Sequence, residues 1–228
     1  MKKFFLFLLV ILINSSSIAI TKTEITTDKG IEIFQNEKYY LLTGNVQINS
    51  KDFILSADIV KAYFDKDLYD IVEIQSYGNS SLTSQKGIKA KGDKIIFLSS
   101  NNSIVVKGTG SYLSNGEIEM YSDNFISIDN SIGFFKIKGE NSKLINKDTI
   151  MVGGLIEGMF EDINGSNELT NLNLEDKNIV NIKTKKINMF GKRAIYNKKN
   201  DLIELFENVK ITRNKETVTG DYAKIDLL

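Results

Sequence analysis

The sequence contains no cysteine, histidine, proline or tryptophan in 228 residues. Without cysteine, no disulfide braces the fold, so stability rests on burial and on the backbone ladder. Zinc and copper centres lean on thiolate and imidazole ligands, and both are missing. A Ser-His-Asp triad or a Cys-His pair is excluded outright. Charge of one sign is not in excess either: 29 basic residues face 29 acidic ones. That balance gives no reason to expect nucleic acid as a partner. What remains is 42% apolar and 25% charged, the composition of a globular chain long enough for one large all-β domain or two small ones.

The first residues, "MKKFFLFLLVILINSSSIAI", follow the layout of a secretory signal peptide. Lys2 and Lys3 precede an apolar run from Phe4 to Ile13, and Ser17-Ile18-Ala19 fits a small-x-small cleavage site. The run is shorter than the roughly 18 residues a membrane span requires. Residues 1–19 are therefore expected to be a cleaved signal, with an uncleaved inner-membrane anchor facing the periplasm as the alternative. No cysteine follows the site, which excludes a lipoprotein.

After Thr21, alternation with period two replaces helical periodicity. Val46 and Ile48 share one face; so do Phe53 and Leu55, Ile118 and Met120, Phe135 and Ile137. Clusters such as "YGNSS", "GTGSYLSNGE" and "INGSNE" separate the runs, as expected of tight turns, because Gly and Asn tolerate positive φ. Short strands at regular intervals indicate an all-β roll, sandwich or barrel.

One sentence is written three times. Asn45 precedes Asp58 by 13 residues, Asn79 precedes Asp93 by 14, and Asn208 precedes Asp221 by 13. Each copy runs from Asn through an alternating strand and a polar turn to Asp and a second strand. A weaker echo places Asp123 in the same position. Units at steps of about 30 to 35 residues that each supply a strand pair must stack to complete a core. The repeated acids are then a rung apart and do not converge on a catalytic centre. Their expected role is to hold a bend by accepting nearby backbone N–H groups. "EDINGSNE", Glu161 to Glu168, is calcium-like in composition but lacks the Asp-x-Asn-x-Asn-Gly order, and reads as a surface turn.

The pattern "LTGNVQI…FILSADIVKAYFD" followed by "SYGNSSL…IKAKGDKIIF" resembles the periplasmic lipopolysaccharide-transport proteins of the LptA/OstA type. The matching residues are Gly44-Asn45-Val46 with Ala57-Asp58, Gly78-Asn79 with Gly92-Asp93, and Asn208-Val209 with Gly220-Asp221. The resemblance is best over residues 23–130 and returns at 205–226. It implies an open, twisted β-jellyroll of antiparallel strand pairs, shared with the LptC type. It also implies a passive carrier that shields the acyl chains of lipopolysaccharide between inner and outer membrane, with no catalysis and no cofactor. Implied partners are lipopolysaccharide or a related lipid, a second copy bound head to tail, or other Lpt-type jellyroll proteins of the membrane complexes. The chain is longer than a single bridge unit of that type. Residues 20–130 are expected to form one roll, and 131–228 its continuation or a second, divergent unit.

A roll whose inner faces are apolar but which does not close leaves a groove, and acyl chains gain about 0.8 kcal/mol per CH₂ removed from water. Parity within the two clearest copies assigns the groove to Val46, Ile48, Phe53, Leu55, Leu82, Ile95 and Phe97, with ordinary sealed core as the competing reading. The stretch "KTKKINMFGKRAIYNKK" holds seven cations and no acid. Lys185, Lys192 and Arg193 within it are candidate phosphate contacts, against a solvated strand face. The run "DYAKIDLL", Asp221 to Leu228, reads as an edge strand open to another strand. The rival function is an exported structural or adhesive β-repeat of the β-helix kind. A carbohydrate-active enzyme is a third, but no paired carboxylates can be identified for it.

Overall fold

The computed structural model describes residues 23–226. The expected signal segment lies outside them. Apart from a 3-10 turn at Lys198–Asn200, the regular structure is strand throughout. The strands are β1 (Glu24–Thr26), β2 (Gly30–Phe34), β3 (Tyr39–Asn49), β4 (Phe53–Phe64), β5 (Ile71–Ser84), β6 (Lys89–Leu98), β7 (Ser103–Lys107) and β8 (Ser111–Ser114). There follow β9 (Ile118–Ser122), β10 (Phe125–Asp129), β11 (Phe134–Asn146), β12 (Thr149–Ile163), β13 (Ser166–Lys183), β14 (Ile187–Asn197), β15 (Leu202–Arg213) and β16 (Glu216–Asp226). All sixteen belong to one antiparallel sheet in which neighbours in sequence are mostly neighbours in space. Short polar turns permit such a meander.

The long strands do not run straight. Thr43 pairs with Ile59 and Val46 with Ala57, so Gly44-Asn45 bulge opposite Asp58. Tyr77 pairs with Lys94 and Ser80 with Gly92, so Gly78-Asn79 bulge opposite Asp93. Phe206 pairs with Tyr222 and Val209 with Gly220, which sets Glu207-Asn208 opposite Asp221. The repeated Asn-to-Asp spacing is therefore the path around one hairpin, from a bulge on one strand to the residue facing it on the next. Gly78 at φ 72° and Asn79 at φ 44° occupy left-handed backbone that only such residues adopt cheaply.

A bulge also flips the parity of a strand. In β4, Leu55 and Ala57 are buried before it, and Val60 and Ala62 after it, with Asp58 and Ile59 turned out. In the middle of the chain the bend becomes a break, separating β7 from β8 and β9 from β10. Aligned bulges and breaks fold the sheet over along a corner, and its two flanks face one shared apolar core. One flank carries Phe53 and the other Phe97.

The Asp positions stitch this corner from strand to strand. The Asn79 amide donates to Asp58 at 3.2 Å, Asn45 to Asp28 at 2.6 Å, and Asn141 to Asp123 at 3.1 Å. Asp93 accepts the Thr109 backbone N–H at 3.3 Å. The expectation of backbone acceptance is met at Asp93, whereas Asp58 and Asp123 take side-chain amides of the following bulge. In "NIVNIKTKKINM", Ile182 and Met189 are buried, whereas Ile179 lies in a bulge between β13 and β14 and is exposed.

Candidate functional site

Between the two flanks, on the side away from the corner, lies a half-open cavity of about 1290 Å³. One wall is Phe53, Leu55, Leu82 and Ile88; the other is Ile74, Ile95, Phe97 and Ile104, with Ser76 among them. Alternation produces both walls, because residues two apart on a strand point to the same side. Phe53 and Phe97 are half-buried, while Leu55 and Ile95 are almost wholly covered. Turn residues make the rim: Asp52, Gln85, Lys86 and Asn115 on one flank, Asn102, Asn130 and Ile132 on the other.

Five of the seven residues assigned to the groove from parity line this cavity: Phe53, Leu55, Leu82, Ile95 and Phe97. Val46 and Ile48 point inward as well but are buried core of β3 and do not line it. Parity alone missed Ile74 and Ser76, which share the inward face of β5 with Leu82 on either side of the Gly78-Asn79 bulge. It also missed Phe160, which belongs to the far half of the sequence and closes one end of the cavity.

That end is built by the β12–β13 hairpin. Its two-residue turn, Asn164-Gly165, has positive φ at both positions, as a tight hairpin turn demands. "EDINGSNE" is thus a hairpin tip. Pairing of β11 with β12 ends at Phe134 and Met159, and pairing of β13 with β14 begins at Asn171 and Asn197. The tip overhangs both neighbours by several residues, which at about 3.3 Å each matches the ~10 Å between packed sheets. It reaches the opposite rim: the Ser166 hydroxyl donates to the Glu117 carboxylate at 3.0 and 3.1 Å across the mouth. Glu168 in the overhang is ion-paired with Lys198.

Charge at the mouth leans acidic, with Asp52, Glu161 and Asp162 against Lys86. Beside it Asp129 is held below the usual carboxylate range, first by the Ser131 hydroxyl and also by Asn101. Lys185, Lys192 and Arg193 are not brought together there. Lys185, in the β13–β14 turn, pairs with Asp148 at 2.6 Å. Lys192, in the β14 bulge, pairs with Glu207 at 3.4 Å, and Arg193 lies over the Phe206 ring. On the outer face, Tyr121 donates to Glu119 and is pushed up to about 12, by that hydrogen bond first and by burial second. Among the described residues no cluster of acids suits a metal ion, and no helix is long and apolar enough to cross a membrane.

The family model described as "LptA/(LptD N-terminal domain) LPS transport protein" matches this chain twice, over residues 24–120 and 116–227. The chain belongs to this LptA/LptD N-terminal family. Its two matches overlap at residues 116–120, across the β8–β9 turn and the start of β9, inside the one continuous sheet. A similar solved structure is that of LptH from Pseudomonas aeruginosa, "the LptA homologous periplasmic component of the conserved lipopolysaccharide transport device". It has 16% sequence identity and a TM-score of 0.41, over 48% of this chain and 77% of that one. A search of curated proteins gives no match. Family membership makes this an Lpt-type lipopolysaccharide-transport protein, and the cavity is the feature of the fold suited to an apolar cargo.

Proposed function

We propose that this protein is a periplasmic carrier that holds acyl chains of lipopolysaccharide in the cavity between its two flanks. The observation carrying this reading is a half-open cavity of about 1290 Å³ walled by Phe53, Leu55, Leu82, Ile95 and Phe97. A cavity with apolar walls offers acyl chains about 0.8 kcal/mol per methylene taken from water. Carriage needs no bond made or broken, so it asks for no nucleophile, base or metal. The two tandem family units form one roll, which lengthens the shielded path within a single chain.

Assembly follows from the edges. Among the described residues, β16 pairs only with β15, and most of its residues are exposed, including Val218 and Tyr222. The outward N–H and C=O groups of residues 216–225 can add a strand from a second copy or from a partner of the same fold. The carrier reading is tested by placing a photoreactive phenylalanine at position 53 in cells. Lipopolysaccharide should attach there, but not from position 63 on the outward face of β4. Attachment at both positions alike, or at neither, would count against the cavity as the lipid site.

A further inference from the structure

The cavity has a blind end, and Phe160 forms it. Its lining passes from Leu55 and Leu82 to Ile95 and Ile104, and ends at Phe160 and the hairpin that carries this ring. Further along the sheet, Ile137, Ile156 and Leu174 are fully buried and line no part of the cavity. Gly158 is the next residue back on the same inward face of β12. The space a side chain would take there is already filled, because the Phe135 ring lies 2.6 Å from where a Cβ would stand. A chain tip that reaches Phe160 therefore finds no void behind it. The ring is also held in place. The Phe160 N–H donates to the Gly133 carbonyl at 2.9 Å, which ties the base of the hairpin to the β10–β11 turn. Its cross-strand partner, Leu169, is buried beside it. Beyond that, the hairpin is tied by Ser166 to Glu117 and by Glu168 to Lys198. A wall packed and anchored in this way yields little to a ligand pressing on it.

We infer that Phe160 sets the length of acyl chain that the cavity accepts. This rests on the lipid reading above and adds a specificity-determining residue to it. Each methylene that fits between the mouth and the ring leaves water and raises affinity about fourfold. Methylenes in excess of that length must turn back into the half-open mouth. There they meet water and the polar turns of the rim, and they add little. Affinity should therefore rise with chain length only up to a break. The break belongs to Phe160, so a smaller side chain at that position moves it outward. Phe160→Ala frees room for about three methylenes.

The test measures displacement of a fluorescent fatty acid by single-chain lysophosphatidic acids, in a series from decanoyl to stearoyl kept below micelle formation. Affinity for the wild-type protein should climb about fourfold per methylene and level off within the series. In Phe160→Ala the short chains should bind as they do to wild type, and the break should come about three methylenes later. The longest chains should then bind up to about 60-fold more tightly to the variant than to wild type. Phe160→Leu removes less and should move the break by about one methylene, which supplies the readout if Phe160→Ala does not fold. A wild-type profile without a break overturns the inference and leaves the carrier reading standing. So does a break that stays in place in the folded variant, or a change in affinity that is equal at all lengths, as a merely structural role would give. If no chain of any length displaces the reporter, the carrier reading falls, and the length limit with it.

Discussion

Filling the cavity without damaging the fold separates a binding site from a packing defect, and Ser76→Phe does this. Ser76 is fully buried on the cavity wall between Ile74 and Ile95, and its hydroxyl makes only a long bond, 3.4 Å, to the Ile95 carbonyl. Losing that bond costs about 1 kcal/mol or less. A phenyl ring reaching the cavity recovers about 2 kcal/mol of burial, against about 1–3 kcal/mol for displacing the neighbours that cover Ser76. The thermal midpoint should therefore stay within a few degrees of wild type. Inside the cavity the ring displaces about three methylenes of any bound chain, or about 2.4 kcal/mol, which is roughly a 60-fold loss of affinity. Leu174→Ala is the control: Leu174 is sealed in the core away from the cavity. It should cost about 3 kcal/mol of stability and leave the affinity of the folded protein nearly unchanged. Thermal unfolding and displacement of a fluorescent fatty acid supply both readouts. A Ser76→Phe protein that melts normally and binds lipid as tightly as wild type would refute the reasoning.

Four further outcomes follow from the same geometry. Asp58→Ala should lower stability by about 1 kcal/mol in urea titrations by releasing Asn79, and Gly78→Ala by about 1 kcal/mol or more, because its φ of 72° strains any side chain. The Tyr121 phenol is raised in the folded state, so its contribution to stability is complete below pH 10 and lost as pH climbs through about 12; an ultraviolet titration should show a late-ionising tyrosine that Tyr121→Phe or Glu119→Gln removes. Lys86→Glu, at the cavity rim, should weaken binding of phosphorylated lipid by up to about fivefold and in a salt-dependent way, and more than the double reversal at Lys185 and Lys192 does.

Much of this was legible in the residues, for identifiable reasons. Side-chain parity is local, so Phe53, Leu55, Leu82, Ile95 and Phe97 could be placed on an inward face by alternation alone. The Asn-to-Asp spacing was legible because a bulge needs a residue tolerant of positive φ and hairpins of similar length return at similar intervals. Where the two flanks stand apart is not local. Val46 and Ile48 have the same parity as Leu55 and lie in packed core, because the separation is set by how far the folded sheet opens. Phe160 was illegible for the same reason: its neighbours on the cavity wall come from strands far back in sequence. The overhang of β12 and β13 depends on where their neighbours stop, and "EDINGSNE" shows only that a turn occurs. Asn115 lay inside a cluster rich in Gly and Ser, where turn composition conceals a buried amide. The cations from Lys183 to Lys199 form a run in sequence, yet bulge and turn geometry disperse Lys185 and Lys192 to separate acidic partners.

The central claim is that the cavity holds acyl chains. Mass spectrometry of lipid extracted from the folded protein, purified without detergent from a lipopolysaccharide-producing host, tests it most directly. The account predicts a phosphorylated, acylated glycolipid on the wild-type protein and its depletion from Ser76→Phe. Wild-type protein that carries no acyl lipid, or a Ser76→Phe protein that carries as much as wild type, would contradict it.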